Sequence, residues 1–209
     1  MKILFIAFAL LLLTSGCHKN SETATVDSSF PNDIGDTWHY LVYDTTIVNN
    51  AATATTQYNV DVTIVSDTIL AGRIMAAVWQ YQYPDHTDTS LVVQKGDTIK
   101  FLNNDINLQL KKQYIFPFKV NSSWPYTLCD LYKVTVIEKT AIQVLQKTFQ
   151  NSFHLTGNAG CPDAIFSIDE WIADNIGIVK SYYNPFGELL LTKHITNWLL
   201  TSYSLRLKL

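Results

Sequence analysis

Beyond residue 30, apolar residues recur at every second position for most of the chain. Trp38, Tyr40 and Val42 alternate with His39, Leu41 and Tyr43, and Tyr58, Val60, Val62 and Ile64 alternate with Asn59, Asp61 and Thr63. A period of two marks a strand with one dry and one wet face. Ala71-Gly72 punctuates before an apolar run over residues 74–83, which Pro84-Asp85-His86 ends. Residues 91–94 and 98–102 flank Lys95-Gly96-Asp97, a hairpin signal in which glycine supplies positive φ. Residues 103–112 predict a loop and then a short strand. Later, Tyr132, Val134 and Val136 alternate with Lys133 and Thr135, and β-branched neighbours make residues 141–149 a hairpin. Residues 176–183 predict a strand, Asn184-Pro185-Phe186-Gly187 a turn, and residues 189–195 a returning strand. Tyr203, Leu205, Leu207 and Leu209 alternate with polar residues and predict a final strand. About a dozen strands with little helix and no helical crossover predict an antiparallel all-β domain, as a curved sheet, open barrel or sandwich. The alternation leaves one face to be covered, and no helical layer is on hand to cover it.

One stretch occurs twice. Phe30-Pro31-Asn32-Asp33-Ile34-Gly35-Asp36-Thr37-Trp38-His39-Tyr40 returns without a gap as Phe116-Pro117-Phe118-Lys119-Val120-Asn121-Ser122-Ser123-Trp124-Pro125-Tyr126. Tyr132-Lys133-Val134-Thr135-Val136 likewise matches Tyr58-Asn59-Val60-Asp61-Val62. These matches predict one domain over residues 30–209, built from similar halves at 30–112 and 116–209. Phe-Pro sets an extended approach, since proline disfavours helix in the residue before it. Gly35-Asp36 and Asn121-Ser122 turn the chain, and Trp and Tyr leave on one face of the outgoing strand. On a packing reading each copy plugs the end of its half, with the indole N–H capping a carbonyl. On a functional reading Trp38, Tyr40, Trp124 and Tyr126 line a groove for an apolar or sugar ligand, Trp38 and Trp124 as a stacking pair.

The first residues follow another pattern. Lys2 precedes an unbroken apolar run over residues 3–13, and Thr14-Ser15-Gly16 leads to Cys17. The run is too short to cross ~30 Å of hydrocarbon as a helix and fits the core of a secretory signal. A cysteine directly after Ser-Gly at the end of such a core resembles the lipobox of bacterial lipoproteins, with Thr14 standing where Leu, Val or Ile is usual. The resemblance implies that residues 1–16 are a lipoprotein signal peptide, and that Cys17 carries a diacylglycerol thioether and an acylated amino group. Several acyl chains anchor firmly, because each buried methylene contributes ~0.8 kcal/mol. Residues 17–29 then comprise the lipidated cysteine and a flexible polar tether reaching roughly 18 Å. The absence of Asp after Cys17 resembles outer-membrane sorting of Gram-negative lipoproteins. With no acidic cluster, the periplasmic face is expected rather than the cell surface.

The repeated stretch, with Trp171 and Ile176-Gly177-Ile178-Val179-Lys180, resembles a group of uncharacterised Gram-negative lipoproteins. Their mature domain opens with Pro-x-x-x-Gly-x-x-Trp-x-Tyr and closes with a Gly-Leu/Ile-Val-Lys strand. Gly35 matches that pattern, and Asn121 departs from it in the second copy. More loosely, such domains are similar to the half-open barrels of lipoprotein carriers of the LolA and LppX type, whose helical lid has no counterpart here. The resemblance implies no catalytic residues.

Charged residues make up 16% of the chain, against ~25% in typical soluble domains. Without Lys2, fourteen of the fifteen Lys and Arg face eighteen Asp and Glu, with no block of either sign, which argues against nucleic acid as a partner. With Cys17 taken by lipid, Cys129 and Cys161 form an even pair outside the reducing cytosol. A disulfide between them is expected, worth ~3–4 kcal/mol in the chain-entropy picture; two free buried thiols are the alternative. His39, His86, His154 and His194 are scattered, and no metal site is assigned. Pro84-Asp85-His86-Thr87-Asp88 reads as a solvated turn. Asp169-Glu170 point apart on any strand and read as an exposed corner rather than a carboxylate pair. There is no Gly-x-Ser-x-Gly and no glycine-rich phosphate loop. The expectation is a non-enzymatic, cofactor-free, lipid-anchored periplasmic domain that binds an apolar or amphipathic ligand such as lipid. An envelope structural or protein-interaction module is the alternative, and a glycan-active hydrolase comes third.

Overall fold

The computed structural model describes residues 30–128, 132–161, 164–186 and 192–206. Twelve strands follow one another: β1 (Thr37–Val48), β2 (Ala51–Leu70), β3 (Ile74–Gln82), β4 (Thr87–Lys95), β5 (Thr98–Asn103), β6 (Leu110–Ile115), β7 (Ser123–Pro125), β8 (Lys133–Val144), β9 (Lys147–Cys161), β10 (Ala164–Ala173), β11 (Gly177–Phe186) and β12 (Thr192–Ser204). Among the described residues there is no helix. All pairings are antiparallel, in the order β6-β5-β4-β3-β2-β1-β12-β11-β10-β9-β8-β7. Each half is thus a six-stranded meander, and the halves join where the first strand pairs with the last, from Thr37↔Ser204 to Val48↔Thr192.

At the far edges β6 comes back to the β7 segment. The Gln113 N–H donates to the Tyr126 carbonyl at 2.9 Å, its side-chain amide donates to the Pro125 carbonyl at 2.8 Å, and the Trp124 indole donates to the Gln113 carbonyl at 2.8 Å. The sheet therefore curls into a nearly closed barrel. This corrects the expectation of an uncovered face: the dry positions look inward, and the sheet's own far side covers them. Trp38, Tyr40 and Val42, then Val60, Val62 and Ile64, then Val134 and Val136 are all buried there, as their alternation predicts.

Several connections follow from turn chemistry. Asn49 and Asn50 both take positive φ, as the tight β1–β2 hairpin requires. Gly96 does the same after Lys95, and β8 and β9 form the hairpin expected over residues 141–149. Two expectations fail. Asn184, Pro185 and Phe186 belong to β11, where Pro185 pairs with Phe166, rather than to a turn. The two strands expected near the end are one strand, β12, which stops at Ser204. Leu207 and Leu209 lie outside the described residues, as do the signal peptide, Cys17 and the tether.

The repeat is real in three dimensions. Gly35 N–H donates to Ile64 O and Ile64 N–H to Asp36 O; Asn121 N–H donates to Val136 O and Val136 N–H to Ser122 O. Gly35 and Asn121 both have positive φ, 92° and 71°, which explains why asparagine can replace glycine in the second copy. These bonds make Ile64 the counterpart of Val136, and Trp38↔Val62 the counterpart of Trp124↔Val134. The sequence match between the second strands was therefore two residues out of register, a slip that alternation hides because it leaves every side chain on its own face.

Candidate functional site

The repeated stretches meet at one end of the barrel and plug it. Phe30 packs on Trp79, Phe101, Tyr114 and Phe116, while Phe118 stacks on Trp124 at 5.6 Å. Trp38 stacks on Trp79 at 4.8 Å, and its indole donates to the Ile176 carbonyl at 2.7 Å. The Tyr40 hydroxyl donates to Ile178 O at 2.8 Å. Among the described residues the β11–β12 ladder runs from Lys180 to Tyr183, so the carbonyls before it need other donors, and the first copy supplies them.

Above the plug lies a cavity of about 320 Å³. Its deep lining includes buried Tyr40, Val62, Trp79, Phe101, Tyr126, Ile168 and Glu170. Half-buried Tyr83, Phe166, Tyr183, Thr196 and Trp198, the half-buried Lys111 and Lys112 and exposed Asp88 also line it, so the cavity opens to solvent on that side. Of the four candidate lining residues, Tyr40 and Tyr126 face this space. Trp38 and Trp124 do not: they are packed into the plug as the packing reading describes, and they do not form a stacking pair.

A polar cluster sits in the lining. Glu170 on β10 is only 2% exposed. Its carboxylate accepts from Tyr114 Oη at 2.7 Å, Tyr126 Oη at 2.8 Å, Ser181 Oγ at 3.1 Å and Lys112 Nζ at 3.3 Å. Burial, followed by the negative charge of Glu170, pushes the Tyr114 and Tyr126 hydroxyls well above the ordinary tyrosine value of 10.0. Burial also raises Tyr40 and Tyr81, and pushes Tyr83 up to about 12. Lys111, the next residue on β6, donates to Ser90 Oγ at 3.0 Å and Asp88 Oδ2 at 3.4 Å.

The exposed-corner reading of Asp169-Glu170 is therefore half wrong. The pair does point to opposite faces. Asp169 looks outward and holds His154, which also meets Glu138 and stacks on Trp171 at 4.0 Å. Glu170 looks inward. The missed signal is parity, because Ile168-x-Glu170-x-Ile172 places the glutamate on the apolar face. Lys112 shares a face with Tyr114 and Phe116 by the same count, and neither residue stood out by composition.

The other candidates are spread over the barrel. His39 pairs with Asp61, His86 with Asp85, and His194 with Asp44, with the histidine side chain exposed in each. Among the described residues no three His, Cys, Asp or Glu converge on a point suited to a metal. Cys161 ends β9, beside Gly160, whose N–H donates to Thr127 Oγ1 at 3.1 Å. Cys129 lies outside the described residues.

No family model matches the chain, and no curated protein matches it. Solved structures of similar shape include a protein inferred to be exported, with a YmcC-like fold, from Bacteroides fragilis. It is 12% identical at a TM-score of 0.46, with 84% of this chain and 98% of that chain covered. A protein inferred to be a lipoprotein from Parabacteroides distasonis is 14% identical at a TM-score of 0.48, with the same coverage.

Proposed function

We propose that the chain is a lipid-anchored barrel of the outer membrane, held at its periplasmic face through Cys17, which binds an apolar or amphipathic ligand in its interior without chemically changing it. The observation that carries this reading is the aromatic cavity of about 320 Å³, at the small end of the ~300–1,000 Å³ usual for ligand sites. The non-catalytic part rests on Glu170: four donors already engage this carboxylate, which leaves it no lone pair for use as a base on a guest. A Cys129–Cys161 disulfide belongs to the same proposal and is supported by the Thr127–Gly160 contact next to Cys161.

Native mass spectrometry of protein purified from membranes tests the reading. Copurified lipid, or uptake of an apolar dye quenched by Trp79 and Trp198, is the expected result. A bare protein that also refuses the dye would overturn it. Labelled palmitate should mark the wild type and not Cys17→Ala.

A second reading, a protein-interaction module, is favoured by the outer face of β3 to β5. Ala76, Leu91 and Val93 are buried there in an apolar cluster with Leu70, Val78, Leu102 and Leu108, and the apolar side chains left exposed beside it include Ile69 and Met75, paired across the β2–β3 hairpin. Crosslinking in cells that returns only the monomer would remove it.

A further inference from the structure

The chemistry of the guest follows from which polar groups in the cavity still have hydrogen-bonding capacity. Glu170 has none to spare, since its two oxygens take four donors, and it is buried. The spare capacity is on the donor side. Lys112 has three N–H donors and one hydrogen-bond partner among the described residues, with its ammonium otherwise lying 5.1 Å from the Phe101 ring centroid and 5.4 Å from that of Tyr114. Lys111 has three N–H donors and two partners, one of them the exposed Asp88.

Two adjacent lysines can share one cavity because β6 is irregular there. Phe101 pairs with Lys112 and Leu102 with Leu110, so Lys111 is an extra residue in the ladder. A bulge of this kind re-aims a side chain that strict alternation would send to the other face. Both side chains keep partial exposure, 34% for Lys111 and 23% for Lys112. They therefore lie where the buried aromatic lining gives way to water, at the depth an amphiphile's head would occupy.

We infer that the cavity takes a single-tailed amphiphile with a carboxylate-type anionic head, its head on Lys111 and Lys112 and its tail along Trp79, Phe101 and Tyr40. This rests on the ligand-binding reading above and names the class of its guest. The volume of about 320 Å³ suits one short chain rather than a two-chain lipid. A cationic head would meet two ammoniums, while both carboxylates of the lining are already engaged, Glu170 by four donors and Asp88 by Lys111 and the Thr89 N–H. A neutral hydroxyl head would offer those ammoniums one uncharged acceptor, weaker than the charge-assisted hydrogen bonds that a carboxylate head accepts.

The test titrates octanoate, octanol and octylamine against the full lipid-anchored chain in nanodiscs, with empty nanodiscs as the blank and tryptophan fluorescence as the readout. Octanoate should bind about tenfold or more tighter than octanol, and octylamine weakest. Lys111→Met and Lys112→Met should each loosen octanoate about 5–30-fold and leave octanol within about twofold. Lys112→Met removes the cation beside a buried glutamate, so if that variant fails to fold, Lys111→Met decides alone. Octanoate binding no tighter than octanol, or unchanged in Lys111→Met, overturns the head assignment while leaving a ligand-binding barrel in place. Failure of all three probes to bind overturns both.

Discussion

The halves of the barrel meet twice. Between β1 and β12 a backbone ladder runs the length of both strands, from Thr37↔Ser204 to Val48↔Thr192. Between β6 and the β7 segment the contact passes through Gln113 and the Trp124 indole. The same repeated motif stands at both places, and one residue accounts for much of the difference. Where the first copy has His39 the second has Pro125, which lacks an N–H and cannot continue a ladder. β1 runs on for twelve residues and β7 stops after three. The lesson is that side chains can help shut a barrel where the backbone ladder runs out, here with two side-chain hydrogen bonds beside one between backbones, and that the short seam is the weaker of the two. The tyrosines that hold Glu170 flank that short seam, Tyr114 next to Gln113 and Tyr126 next to Pro125.

Alkali should break the comparison most completely. A tyrosine whose folded value is raised holds its proton more tightly folded than unfolded. Its contribution is intact below pH ~10 and is lost as the pH climbs towards the folded values, because the unfolded chain gives up its protons first. The tyrosinate absorbance contributed by Tyr114 and Tyr126 should therefore appear together with unfolding, and hydrogen exchange at Gln113 should accelerate before exchange along β1. Uniform exchange across both seams would mean that they do not differ in strength.

Glycines give the next largest effect. A Cβ on Gly157 would lie 2.3 Å from the Lys133 carbonyl oxygen and 2.9 Å from the Val134 Cα, both backbone atoms. Gly157→Ala should cost about 3 kcal/mol or more, a fall in Tm of about 6–12 °C. Gly35→Ala has positive φ but meets chiefly the arm of Arg206, which can move, so about 1–2 kcal/mol is expected. Thermal melts that rank the two the other way would mean that the backbone around Gly157 gives way more readily than the Arg206 side chain.

Trp38→Phe and Trp124→Phe each leave a carbonyl without its donor, at Ile176 and Gln113 respectively, and each should cost about 1–3 kcal/mol. Only Trp124→Phe should open the short seam, read as faster exchange at the Gln113 N–H. The smallest effect is expected of Asn121→Gly, within about 0.5 kcal/mol in a denaturant melt, because both residues suit the left-handed turn that Gly35 occupies in the first copy.

Much of this fold is legible in the sequence because alternation marks which face of a strand is dry. Trp38-x-Tyr40-x-Val42 and Val60-x-Val62-x-Ile64 fix the inward positions, and the repeat fixes the plug. What alternation cannot give is closure: a flat sheet, a sandwich and a barrel share one pattern, and closure depends on Gln113 meeting Tyr126, residues with no local signal. Pro185 misled because proline is tolerated within a strand wherever its N–H is not needed. The polar cluster was hidden for another reason. Glu170 beside Asp169 looks like a charged corner until its parity with Ile168 and Ile172 is counted, and Lys111 reaches the cavity through a bulge, which breaks parity altogether.

The pairing of first strand with last also governs how the barrel comes into being. Thr37 and Ser204, hydrogen-bonded across that ladder, are 167 residues apart in the chain. Contacts of such span form late, since a long loop must be closed before they return anything. Until β12 is available, β1 presents a bare row of amides and carbonyls, the kind of edge that recruits other chains. A truncation that removes β12 alone should therefore yield aggregates rather than a smaller soluble barrel.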